Sequence, residues 1–129
     1  MASRASKPLT PDEKMARIAH ALKRGGDTHT LQDVLRGLTD GKYQLFENDD
    51  GVCVTEVMEA PNGRYLHCWI VAGRLPGVMQ LQGVVERHAR AQSCKFMSTT
   101  GRHGWKSVLP QYGWKPVMTV FTKELDHGR

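Results

Sequence analysis

At 129 residues and a formal net charge of +5, the chain is the right size for one domain with a packed core. Its 40% hydrophobic and 24% charged content excludes a disordered or low-complexity protein, and no apolar run approaches the ~20 residues of a membrane span. The three cysteines, Cys53, Cys68 and Cys94, are odd in number and lack C-x-x-C spacing, which argues against a disulfide framework or a zinc site.

The opening MASRASK is a basic stretch with no apolar h-region, and residues 1–9 read as a flexible basic arm. Thr10, Pro11 and Glu13 form a helix start, with Thr10 as N-cap, Pro11 at the first helical position and Glu13 closing a capping box. Met15, Ile18, Ala19 and Leu22 recur at helical spacing, and Gly25 is placed to end the helix. A second helix begins near Thr28 or Thr30, carries the stripe Leu31, Val34, Leu35 and Leu38, and stops at Gly41.

The middle is β-rich. Residues 43–47 and 52–58 read as strands joined by Asn48-Asp49-Asp50-Gly51, a strong hairpin signal. Pro61-Asn62-Gly63 makes the next turn. The run RYLHCWIVAG from Arg64 then suits a central strand covered on both faces. Gly73, Pro76 and Gly77 break it. Val78, Leu81, Val85 and Ala89 follow at helical spacing, and KFMST from Lys95 can form a parallel strand. Residues 64–99 therefore predict a βαβ unit, whose turn leaves backbone N–H groups at a helix start where a phosphate can bind. Further on, Trp105, Val108 and Leu109 can share one side of a short helix before Pro110. Residues 115–125 alternate as a strand, with Val117, Thr119 and Phe121 on one face and Met118, Val120 and Thr122 on the other.

That order of elements, together with two segments, resembles the GNAT acyltransferase family over about residues 10–125, without the family's first strand. The resemblance implies an α/β (α+β) fold: a mixed central sheet of about five to six strands flanked by helices. The first segment is Arg74-Leu75-Pro76-Gly77-Val78-Met79, set against the family's Arg/Gln-x-x-Gly-x-Gly/Ala loop, which binds the acetyl-CoA pyrophosphate. Arg74 and Gly77 match. Met79 stands where a very small residue is wanted, and Pro76 removes a donor. The resemblance places the coenzyme-binding positions at Val71, Arg74, Gly77, Val78 and Met79. The second segment ends in Gly113-Trp114, like the family's closing Gly-Phe. Counting back puts Leu109 where the family has the Tyr that protonates the departing thiolate, and Leu has no proton to give. THTLQDVL and GRHGWKSVLPQYGW further resemble small GNAT-like proteins of tailed phages and prophages, which lie among virion and assembly genes.

Candidate bases are His67 on the central strand and Glu56 on the preceding one, since either can take a proton from an amine. Each also reads as an ordinary residue of a half-exposed sheet face. His103 reads as a solvated loop histidine. Cys68, His67 and Cys94 have no metal-ligand spacing, so no metal is expected. Trp69, Trp105 and Trp114 read first as core aromatics, and Tyr112-Gly113-Trp114 beside Lys106 and Lys115 as a basic-aromatic patch.

The resulting expectation is a catalytically degenerate GNAT-fold phage protein that binds other virion or assembly proteins, with no cofactor. It would reside in the host cytoplasm or the particle, and homo-oligomers are open to it. The alternative is an active N-acetyltransferase that uses acetyl-CoA with Glu56 or His67 as base. Nucleic-acid binding through the positive charge is a third reading.

Overall fold

The computed structural model describes residues 7–126. Chain contacts group them into two compact units, one ending at Thr99 and one beginning at Thr100. The first six residues of the expected basic arm lie outside the described residues. Its end does not: Leu9 is buried, and its N–H donates to Asp49 O at 2.8 Å.

In the first unit, helix α1 spans Pro11–Arg24 and α2 spans Leu31–Thr39. Both begin with a reciprocal capping box. Thr10 N donates to Glu13 Oε1 at 2.8 Å while Glu13 N donates to Thr10 Oγ1 at 3.1 Å, and Thr30 and Asp33 repeat the pattern. Each box satisfies amides that the helix itself leaves open and holds its acid ionised, with the carboxyls of Glu13 and Asp33 below their usual range. Gly41 follows α2 with φ +81°, a conformation glycine adopts without strain.

Strands β1 (Gln44–Asn48), β2 (Gly51–Ala60) and β3 (Gly63–Gly73) form the expected antiparallel meander. Asn48 Oδ1 accepts from the N–H groups of Asp50 and Gly51 at 2.9 and 3.0 Å and so closes the first turn. A 3-10 turn at Gly77–Leu81 leads into α3 (Gln82–Ala91), and β4 (Met97–Thr99) returns parallel to β3. The predicted βαβ unit is therefore present, and the sheet order is β1-β2-β3-β4.

The sheet is covered on both faces. Ile18 and Leu22 of α1 and Val34 of α2 pack with Tyr43, Val52, Val54, Ile70 and Ala72, all buried. Leu45 joins that side, so its neighbour Phe46 points to the other, where its ring meets His88 of α3 at 5.4 Å. A register shift between Val54 and Thr55 leaves Trp69 unpaired within β3. Trp69 lies against Tyr43 and His29, with ring centroids 5.0 and 4.7 Å away, in keeping with its reading as a core aromatic. Leu35, expected in the α2 stripe, is exposed instead.

Three expectations need correction. The sheet has four strands among the described residues, not five to six. Residues 115–126 carry no strand, and Val117, Met118, Val120, Phe121 and Leu125 are 62–88% exposed. Alternation makes a segment ready to pair, but the ladder partner comes from tertiary structure, and none of the described strands pairs with it. In place of a helix through residues 105–109 there are two 3-10 turns, His103–Lys106 and Leu109–Tyr112. Pro110 has no N–H to continue a helical ladder, and Gly113 at φ +93° ends the second turn.

Substitution at two sites separates core from surface. Ile18→Ala is expected to cost about 2–5 kcal/mol in denaturant unfolding, because it empties a fully buried position. Phe121→Ser is expected to change stability by no more than about 0.5 kcal/mol. A loss of several kcal/mol there would mean that the segment is built into a core.

Candidate functional site

Two groups of chemically able side chains lie on β3, one near its start and one at its end. Near the start, three strands present one row of residues. Glu56 of β2 is the register partner of His67, and Ser98 of β4 is its partner on the other side. His67 Nδ1 and Ser98 Oγ are 2.9 Å apart, a hydrogen bond. Burial lowers the His67 pKa from its ordinary 6.5, against an opposing pull from the Glu56 charge. The imidazole is therefore neutral at pH 7 and able to accept a proton. The sequence pointed to Glu56 and His67, and the structure places them side by side. It did not point to Ser98, because a serine in a short strand carries no signal until register sets it beside a histidine.

The β3–β4 ladder is short. It joins Leu66 to Met97, His67 to Ser98 and Cys68 to Thr99, and Thr99 Oγ1 donates to Cys68 O at 2.8 Å. Beyond Cys68, β3 runs on to Gly73 with no strand beside it on that edge among the described residues.

At the end of β3 lie Val71, Arg74, Gly77, Val78 and Met79. Here most of the donors are already engaged, although the buried Arg74 Nε–H has no hydrogen-bond partner among the described residues. The Arg74 guanidinium donates from one nitrogen to Asp50 Oδ1 at 2.9 Å, to Lys7 O at 2.8 Å and to Asp49 O at 3.2 Å. Arg74 N donates to Asp50 O at 2.8 Å, Val78 N to Arg74 O at 2.9 Å and Met79 N to Pro76 O at 3.0 Å. Asp50 also packs its carboxylate against Gly77, where an added Cβ would collide with it. Asn48 Nδ2 donates to Gly77 O at 2.9 Å and fixes the loop to the first hairpin. Val78 and Met79 are buried, so the Met79 side chain serves as packing. The sequence marked Arg74, Gly77 and Met79 but gave no weight to Asp50, which only the fold brings to them.

The remaining candidates are quiet. Cys53 and Cys68 are buried, and the hydrogen bond to Cys68 together with burial pushes the Cys53 thiol far up. Burial also raises the Cys94 thiol. Neither Cys53 nor Cys94 is an activated nucleophile. No group of three or more His, Cys, Asp or Glu residues suited to a metal occurs among the described residues. Leu109, which the sequence resemblance sets against a proton-donor position, opens the second 3-10 turn.

This arrangement of strands has solved counterparts. A chain described as a probable acetyltransferase superposes with a TM-score of 0.62 at 11% identity, over 92% of each chain. The fold is acetyltransferase-like, of the GNAT kind. YycN of Bacillus subtilis, described as a candidate acetyltransferase, gives a TM-score of 0.58 at 14% identity, over 94% of this chain and 98% of that one. An integron cassette protein from the mobile metagenome of V. cholerae gives 0.55 at 13% identity, over 95% and 91%. At these identities the likeness is one of fold. No protein-family model and no curated protein matches the chain.

Two measurements check the site. Because His67 titrates below its ordinary value when folded, the unfolded chain binds its proton more tightly, and stability falls as pH drops below 6.5 through the folded value. Denaturant unfolding between about pH 7 and pH 5 is expected to show that fall, and His67→Gln to flatten it. Asp50→Asn removes the negative charge beside Gly77 and leaves the positive charge of Arg74 uncompensated. Inorganic pyrophosphate is then expected to bind the variant at least about tenfold more tightly than the parent chain by calorimetry.

Proposed function

We propose that this chain is a member of the acetyltransferase fold that is degenerate for acetyl-CoA chemistry, from a tailed phage or prophage, and that it acts by protein contact in the virion or its assembly. The observation that carries the reading is the Asp50 carboxylate, set against Gly77 and paired with Arg74 where a coenzyme diphosphate would need positive charge and open amides. An anion entering there meets a negative charge. Buried Met79 and the aliphatic Leu109 point the same way. The exposed apolar side chains of residues 117–125 supply a surface that a protein partner would bury. The phage assignment rests on the resemblance of THTLQDVL and GRHGWKSVLPQYGW. On this reading the protein works without a cofactor, in the host cytoplasm or in the particle. Its partners are virion proteins or further copies of itself.

Titration with acetyl-CoA is the test. The heat is expected to stay at the level of dilution, and tight stoichiometric binding would overturn the proposal. Nucleic acid as partner would require an affinity that falls steeply with salt.

A second reading is favoured by the His67 environment. A neutral, half-buried imidazole beside Glu56 suits removal of a proton from an amine. An active N-acetyltransferase would then use His67 or Glu56 as base, and its thiolate would leave without help from Leu109. It requires thiol release from acetyl-CoA with some amine, and a broad amine panel that releases none above background removes it.

A further inference from the structure

The row across β2, β3 and β4 holds more than a base for an incoming amine. Ser98 Oγ is 2.9 Å from His67 Nδ1, and Glu56 is the His67 register partner on the opposite flank. A hydroxyl, an imidazole and a carboxylate thus stand in sequence on three adjacent strands. That is the order of groups a serine nucleophile needs: hydroxyl hydrogen-bonded to base, base flanked by negative charge. The row is the middle of the three β3–β4 rungs, and one rung further on β3 continues toward Gly73 with only β2 beside it among the described residues. All three side chains are partly exposed, so a small molecule can reach them. The closed loop at Arg74 bears on what that molecule is. A donor anchored by a diphosphate finds Asp50 in its way, whereas a short acyl group on a good leaving group needs no such anchor.

We propose that Ser98 is an acyl-accepting nucleophile, with His67 as its general base and Glu56 as the flanking carboxylate, acting on small esters of good leaving groups. In the tautomer that carries its proton on Nε2, His67 accepts the Ser98 Oγ–H proton at Nδ1. The Oγ–C bond forms, the bond from the acyl carbon to the leaving oxygen breaks, and the proton passes from Nδ1 to the departing alkoxide. Water then attacks the Ser98 ester with His67 again as base, the acyl carbon–Oγ bond breaks, His67 passes the proton to Ser98 Oγ, and the carboxylic acid leaves. The sum is ester plus water giving acid plus alcohol, with no oxidant or cofactor. Burial of the imidazole favours its neutral form, and the Glu56 charge stabilises the imidazolium that forms. The step does not depend on the reading above. A chain that ignores acetyl-CoA can still carry it out, and one that binds acetyl-CoA can lack it.

The experiment uses the full chain with p-nitrophenyl acetate. A burst of nitrophenol close to one per chain is expected, followed by slower turnover, with the acetyl group mapped by peptide mass analysis to Ser98. Ser98→Ala is expected to abolish the burst, and His67→Gln to slow acylation about 100-fold or more. Glu56→Gln is expected to slow it about tenfold while leaving the half-saturating ester concentration and the melting temperature unchanged, which separates its charge from a structural role. Absence of a burst overturns the proposal. So does an acetyl group mapped to a lysine or to Cys94 instead, a result that the parent chain gives without any variant having to fold.

Discussion

A loop that binds phosphate works by leaving its donors uncommitted, so that an arriving anion supplies the acceptors. In this chain the acceptors are already present. Arg74 reaches the carboxylate of Asp50 and the carbonyls of Lys7 and Asp49, and its own N–H goes to Asp50 O. One side chain therefore ties the N-terminal segment, the first hairpin and the end of the central strand together. The pair is only partly exposed, with side chains 29% and 22% accessible, so its charges attract more strongly than a surface pair would. What would be a ligand site in an open loop has become an internal brace.

The brace depends on small details of the first hairpin. Asn48 turns the chain by accepting from Asp50 and Gly51, and with its other side-chain atom it holds Gly77 O. Gly51 and Gly73 lie so close across β2 and β3 that a Cβ on either would strike the facing backbone. That close approach brings the hairpin against the loop after β3 and lets Asp50 press on Gly77. The same two strands, further along, carry Glu56 and His67 to a different part of the sheet, outside the core that α1 and α2 build. The sheet thus separates two chemistries along one strand. At the end of β3 positive charge is neutralised by a neighbour. Near its start a base stays neutral and adjacent to a hydroxyl.

Much of this was legible in the residues. The capping box at Thr10, a second helix start near Thr28 or Thr30, the hairpin at Asn48–Gly51 and the βαβ unit were readable because each rests on interactions within a few residues or on a simple period. Trp69 was readable as core from its size and place in an apolar run. The strand expected over residues 115–125 was not borne out, because alternation reports a readiness to pair and nothing about a partner. The helix expected after Gly101 is instead two 3-10 turns, and Pro110, which has no N–H for a helical ladder, lies in the second of them.

At the candidate site the division is sharper. His67, Glu56, Arg74 and Gly77 could be named from type and position. Their neighbours could not, since Asp50 is 24 residues from Arg74 along the chain and Ser98 is 31 from His67. The sequence by itself determined the first two helices, the first hairpin and the central strand, since those choices are made by near neighbours and by burial of an apolar face. Only the tertiary structure decided that the loop arginine faces a carboxylate and that the strand histidine faces a serine. Contacts of that kind depend on register between distant strands, where a slip of one residue turns every side chain to the other face.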